Sequence, residues 1–170
     1  FKAKYHLYRY ALICINMSYL KSLFSLDNKI SIVTGSARGN GKAISEALLR
    51  SGSIVVMVDV LKKELLQTEK EFLSKNLPAA SYVCDITKKD QILKLGKYIR
   101  KKFGRLDILV NNAGISISDS VLTYSEKNWE KTYQVNLKAP FFLSQECAKI
   151  MKKKKSGVII NITSINAEFA

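Results

Sequence analysis

The chain has 170 residues, enough for one domain with a real core, and its hydrophobic share of 47% and charged share of 25% exclude a disordered or fibrous protein. His6 is the only histidine, which leaves a Ser-His-Asp hydrolase or a multi-histidine metal site without parts. The balance of 28 Lys plus Arg against 14 Asp plus Glu gives +14, but the lysines are spread along the chain and read as a solvated surface, with no nucleic-acid and no membrane partner expected.

In chain order, residues 1–16 carry Lys2, Lys4 and Arg9 ahead of an apolar run from Tyr10 to Ile15. That imitates a secretory leader, but the run is short and no small-residue cleavage site follows it. Nothing reaches the roughly 18 apolar residues of a membrane span. Translation from Met17 is expected, with residues 1–25 an extension outside the fold. Cys14, Cys84 and Cys147 are far apart with no CxxC spacing, so no metal site is expected and free thiols in a reducing cytoplasm fit best.

From Lys29 the pattern becomes regular. Short apolar runs are expected to be strands at Ile30–Val33, Ile54–Val58, Ser81–Cys84, Leu106–Val110 and Val158–Ile162. Helices are expected at Gly41–Arg50, Lys62–Lys75, and from a capping box at Thr87 and Asp90 to about Lys102. A long helix from Thr123 and Glu126 should end near Lys152–Lys155, where cations complement the helix dipole. Strands apolar at nearly every position are buried on both faces, and helix-length segments between them imply right-handed crossovers. The fold class is therefore α/β, a doubly wound parallel sheet of Rossmann type.

Between the first strand and first helix lies TGSARGNG, residues 34–41. Glycines at Gly35, Gly39 and Gly41 let the backbone turn tightly and approach a pyrophosphate, which the helix N-terminus then attracts. A P-loop is the near miss: five residues separate Gly35 from Gly41, and Ala43 stands where a Ser or Thr is needed. Asp59 ends the second strand at the offset of a ribose-binding acid. A carboxylate there accepts from the 2′-hydroxyl of NAD and repels the 2′-phosphate of NADP. Arg38 could attract that phosphate, so NAD is favoured and NADP stays open. Residues 26–170 are read as one dinucleotide-binding domain.

Four segments in order, TGSARGNG at 34–41, NNAG at 111–114, VNLKAPFFLS at 135–144 and GVIINITS at 157–164, resemble the short-chain dehydrogenase/reductase family. The resemblance covers roughly residues 26–170 and implies strand order 3-2-1-4-5, with NAD(P) over the carboxyl ends of the strands. It implies cofactor contacts from Gly35, Ser36, Arg38, Gly39, Asn40, Gly41, Asp59, Asp85, Ile86, Asn112, Ala113 and Gly114. Asn40 departs from the apolar residue usual there. The implied chemistry is hydride transfer between a nicotinamide and an alcohol or carbonyl. Ser164 matches the serine that holds the substrate oxygen, and Asn136 matches the asparagine of the proton relay. Independently, Pro140 has no N–H for the carbonyl of Asn136, so a kink is expected there.

The family's Tyr-xxx-Lys pair should follow the serine by about a dozen residues, and no such spacing follows Ser164. Tyr98 and Lys102 have it, but lie upstream of NNAG on a basic helix. The chain is therefore expected to be a fragment truncated after the fifth strand, inactive and poorly soluble by itself, with an apolar edge. The full-length protein is expected to be a cytoplasmic homo-oligomer acting on a small-molecule substrate. The tail SINAEFA is similar to the gluconate and deoxygluconate dehydrogenase branch, which suggests a sugar acid. The alternatives are a dinucleotide-binding module without chemistry and a basic nucleic-acid-binding protein supported by charge alone.

Overall fold

In a computed structural model of the chain, Tyr19 and residues 23–164 are described. The leader-like residues 1–16, Met17, and residues 165–170 of the tail lie outside the described residues.

The alternation of apolar runs and amphipathic stretches forms five parallel strands and their crossovers. β1 (Ile30–Thr34) leads through α1 (Gly39–Arg50) to β2 (Ile54–Asp59), and α2 (Lys62–Ser74) leads to β3 (Ala79–Val83). α3 (Lys89–Phe103) crosses back to β4 (Ile108–Asn111), and a helical arm leads to β5 (Val158–Asn161). The sheet order is β3-β2-β1-β4-β5, as expected. The crossover at β1 places the first and fourth strands side by side, with Ser31 opposite Ile108 and Val33 opposite Val110.

Period-two side-chain direction divides the apolar residues between two layers. Ile30, Ile32, Val56, Val58 and Leu109 pack under α3 and the arm. Val33, Val55, Met57, Ile108 and Val110 pack under α1 and α2, where Leu65 and Phe72 are fully buried. β5 is different: Val158, Ile159 and Ile160 are exposed, the apolar edge expected from the sequence.

Helix boundaries depart from expectation where a side chain finds a better partner. The Thr87–Asp90 capping box does not form. Instead the Thr87 N–H and hydroxyl donate to Asp85 Oδ1 at 2.9 and 2.7 Å, and α3 starts after Lys88. A carboxylate two residues back is the stronger acceptor. The arm starts at Glu126, not Thr123, because Ser125 Oγ accepts from the Asn128 N–H at 3.2 Å. The arm comprises α4 (Glu126–Tyr133), a π-helical turn (Gln134–Lys138) and α5 (Ala139–Met151). The π turn contains Asn136 and ends just before Pro140, which cannot donate into an α-helical ladder.

At the N-terminal edge of the sheet, Asp107 is buried and ties β1 to β4. Its Oδ2 accepts from the Ile30 N–H at 2.9 Å and from Arg105 Nε at 2.8 Å. Burial pushes the Asp107 carboxyl up, but the Arg105 and Ile30 donors, with the charges of Arg105 and Lys29, hold it below its ordinary range. A depressed native value stabilises the fold above the unfolded pKa of about 3.9 and is lost as pH falls through the native one. Asp107→Ala should cost about 1–3 kcal/mol in urea unfolding at neutral pH, because the Ile30 N–H loses its partner. The difference from the parent should shrink below about pH 4.

Candidate functional site

The C-terminal ends of the strands open on a groove of about 970 Å³. Its floor depends on one close approach. Gly35 follows β1 with φ +66°, and a Cβ there would stand 2.9 Å from the Ala113 Cα. Gly41 lies beneath it: a Cβ would stand 2.1 Å from the Gly35 carbonyl oxygen. Any side chain at either position would push the loop off the strand ends.

Polar side chains lock this approach. Thr34 Oγ1 accepts from the N–H groups of Asn112 and Ala113, both at 3.0 Å. The Asn112 amide donates to the carbonyls of Thr34 at 2.9 Å and Gly35 at 3.3 Å. Thr68 Oγ1 donates to the Ala37 carbonyl at 2.8 Å, and Ser45 Oγ to that of Gly41 at 2.8 Å. Ser36 is buried, with its hydroxyl on the Val58 carbonyl at 3.2 Å. It anchors the loop from below instead of lining the groove. α1 begins after Arg38 with no side-chain cap, so its first N–H groups remain available to an anion.

Asp59 faces the same opening. Its Oδ2 accepts from the Ala37 N–H and its Oδ1 from the Leu61 N–H, each at 3.0 Å. Each oxygen keeps a lone pair for a ligand hydroxyl. Gly35, Arg38, Asp59, Asp85, Ile86, Asn112, Ala113 and Gly114 all line the groove. Gly39 and Asn40 are exposed in the first turn of α1 and, like the buried Gly41, are not among the residues that line the groove. Asp85 Oδ1 is held by Thr87, and the Asp85 N–H donates to Gln91 Oε1 at 2.8 Å. Cys84 also borders the groove, but burial first, and the charges of Asp85 and Asp90 after it, push its thiol up to about 11. At neutral pH it is no nucleophile.

Asn136 reaches the groove's far wall through its side chain. Oδ1 accepts from the Ile115 N–H at 2.9 Å and Nδ2 donates to the Ile115 carbonyl at 2.7 Å. This pair of hydrogen bonds straps the NNAG loop to the π turn. Ser164 lies three residues beyond β5, past the Ile162 N–H that donates to the Asn111 carbonyl at 2.9 Å. It stands at the same sheet edge as Asp59 and Gly114. Tyr98 and Lys102 are hydrogen-bonded at 3.0 Å but sit at the end of α3 remote from the groove. Sequence reasoning missed Thr34, Thr68, and the wall residues Lys131, Gln134 and Val135. The polar Thr34 at the buried end of an apolar strand was the one available signal.

The family model for short chain dehydrogenases matches residues 29–170. The chain belongs to the short-chain dehydrogenase family. It is 37% identical over 139 residues to diacetyl reductase [(S)-acetoin forming] of Staphylococcus epidermidis, covering 81% of this chain and 54% of the relative. It is 34% identical to gluconate 5-dehydrogenase of Gluconobacter oxydans over 148 residues, covering 87% of this chain and 58% of the relative. A solved gluconate 5-dehydrogenase from Burkholderia cenocepacia, in complex with NADP and tartrate, superposes with a TM-score of 0.81 at 30% identity, covering 86% of this chain and 58% of that one. The chain thus spans little more than half the length of these family members.

Gly41→Ala should destabilise the chain by about 1–3 kcal/mol, because the clash is with backbone. Thr34→Val leaves two donors without their acceptor and should cost on the order of 2 kcal/mol. Urea unfolding checks both.

Proposed function

We propose that the chain forms the cofactor-binding part of an NAD(P)-dependent oxidoreductase that moves a hydride between a nicotinamide and an alcohol or carbonyl carbon. The observation that carries this reading is the groove itself, with a glycine-lined helix tip at one end and Asp59 one strand away. The diphosphate would lie on the Gly35–Gly41 loop and the first turn of α1. The Asp59 carboxylate would accept from the adenosine ribose, and Asp85 and Ile86 would flank the adenine. The cofactor supplies the hydride chemistry.

Ser164 would hold the substrate oxygen at the nicotinamide end. Asn136 would act through its main-chain carbonyl, which Pro140 leaves without its usual α-helical donor, holding a water in the proton relay. The side-chain strap to Ile115 would fix that carbonyl's direction. A tyrosine outside this groove, Tyr98, does not take part. Sugar acids are the favoured substrate class, supported by the similarity to gluconate 5-dehydrogenases. A small diketone is the competing class, given the diacetyl reductase relative.

NAD is favoured over NADP because Asp59 presents a negative charge where the 2′-phosphate would lie. The exposed Arg38 on the same wall weakens that preference. Titration of NADH and NADPH fluorescence should show tighter NADH binding. Asp59→Asn should shift the preference toward NADPH by about tenfold or more. Failure of both nucleotides to bind, or strong NADPH preference in the parent, overturns this assignment. Nucleotide binding with no turnover of any alcohol in the longest natural form of the protein would favour a binding module without chemistry. If turnover is found, Ser164→Ala should lower kcat by about a hundredfold with little change in NADH affinity.

A further inference from the structure

The lysines that are scattered in the sequence are not scattered in the fold. α3 and α5 pack side by side in the same direction, joined where Arg100 meets the buried Glu146 at 2.8 Å. Their C-terminal ends therefore lie together at the N-terminal edge of the sheet. The Ile108–Val158 register and the Val158 N–H to Asp107 carbonyl bond, at 2.9 Å, bring the segments ahead of β4 and β5 side by side. Lys101, Lys102 and Lys152–Lys155 are all exposed there.

The two acids packed between these segments are already paired, and Asp27 is an exposed carboxylate in the turn ahead of β1. Glu146 pairs with Arg100 and Lys149, and Asp107 pairs with Arg105. None of the six exposed lysines forms an ion pair among the described residues. Two helix ends offset about one elementary charge between them, far less than six lysines carry. The excess exceeds what helix capping requires.

An apolar element shares the edge. The Ile30 N–H reaches Asp107, and the Leu26 N–H donates to the Ser51 carbonyl at the end of α1 at 2.7 Å. Just ahead of that turn Leu23 is 57% and Phe24 70% exposed. The nucleotide groove opens at the opposite edge.

We propose that this edge is a docking face for an anionic membrane surface, with the lysines supplying charge and Phe24 an apolar contact. Phe24 stands by the ends of α1 and α2, so charge and apolar side chain occupy two parts of one edge that a flat surface can meet together, the two-signal combination that holds a protein on anionic lipid. Nucleic acid fits less well. No basic groove that would track a phosphate backbone lies among the lysines, and the rings next to them, Tyr98 and Phe103, already pack on each other and under Lys102. Seated this way, the protein keeps its groove open to solution. The inference is independent of the oxidoreductase reading.

Vesicle flotation with the full chain tests this, since vesicles carry bound protein upward while aggregates sink. The chain should float with vesicles of phosphatidylcholine mixed with phosphatidylglycerol, and not with phosphatidylcholine alone. Flotation should weaken as salt rises through about 0.15 M. The combined variant Lys152→Gln, Lys153→Gln, Lys154→Gln and Lys155→Gln should lose at least about tenfold in vesicle partitioning. Phe24→Ser should lose about threefold without changing the salt dependence. Lys62→Gln with Lys63→Gln, exposed on α2 near the groove side, should float like the parent. Circular dichroism confirms that each variant folds. Equal flotation with neutral vesicles, a fourfold variant that floats like the parent, or tighter binding to duplex DNA than to anionic vesicles at the same salt would each overturn the proposal.

Discussion

The site rests on a contact that only a backbone without side chains can make. Gly35 lies against Ala113, and Gly41 lies under the Gly35 carbonyl, so the end of β1, the start of α1 and the end of β4 meet at one point. The doubly wound order makes this meeting possible, because β4 pairs with β1 after a crossover on the other face. The opening above the strand ends at that reversal is where open α/β sheets accept ligands.

The polar groups around the contact explain why it holds. A tight loop buries carbonyls and N–H groups that must find partners. Thr34, Ser45, Thr68 and Asn112 provide those partners from four different elements. Asn112 therefore has a structural task at the groove floor as well as a place on its wall. Asp59 likewise joins the loop to β2 while facing the ligand space. Asn112 and Asp59 thus hold the loop in place while bordering the groove, so the floor is rigid by construction.

The far wall uses another device. Pro140 removes a donor and a π turn takes up the slack, which carries Asn136 toward the NNAG loop. The Asn136 amide then matches both polar groups of Ile115. Its position is set by backbone geometry on the arm and by a loop from the next element, each over-determining the other.

The strands, their order of appearance and the glycine loop were legible in the residues alone, because burial of β1, β2 and β4 on both faces leaves continuous apolar runs and a close backbone approach needs glycine. Asp59 was legible through its offset from Gly41. Helix starts were not: Thr87 and Ser125 compete with Lys88 and Thr123 through partners that local pattern does not rank. Thr34 and Thr68 were invisible as site residues, since their acceptors and donors come from segments distant along the chain. The charge distribution was equally hidden. A sequence lists lysines along one dimension, whereas packing α3 against α5 sets two helix ends at the same edge and sums their charge there. Chemistry carried by adjacent residues was thus determined by the sequence itself. Chemistry that needs residues brought together from separate elements was decided only by the tertiary structure, because hydrogen bonds and fields act through space.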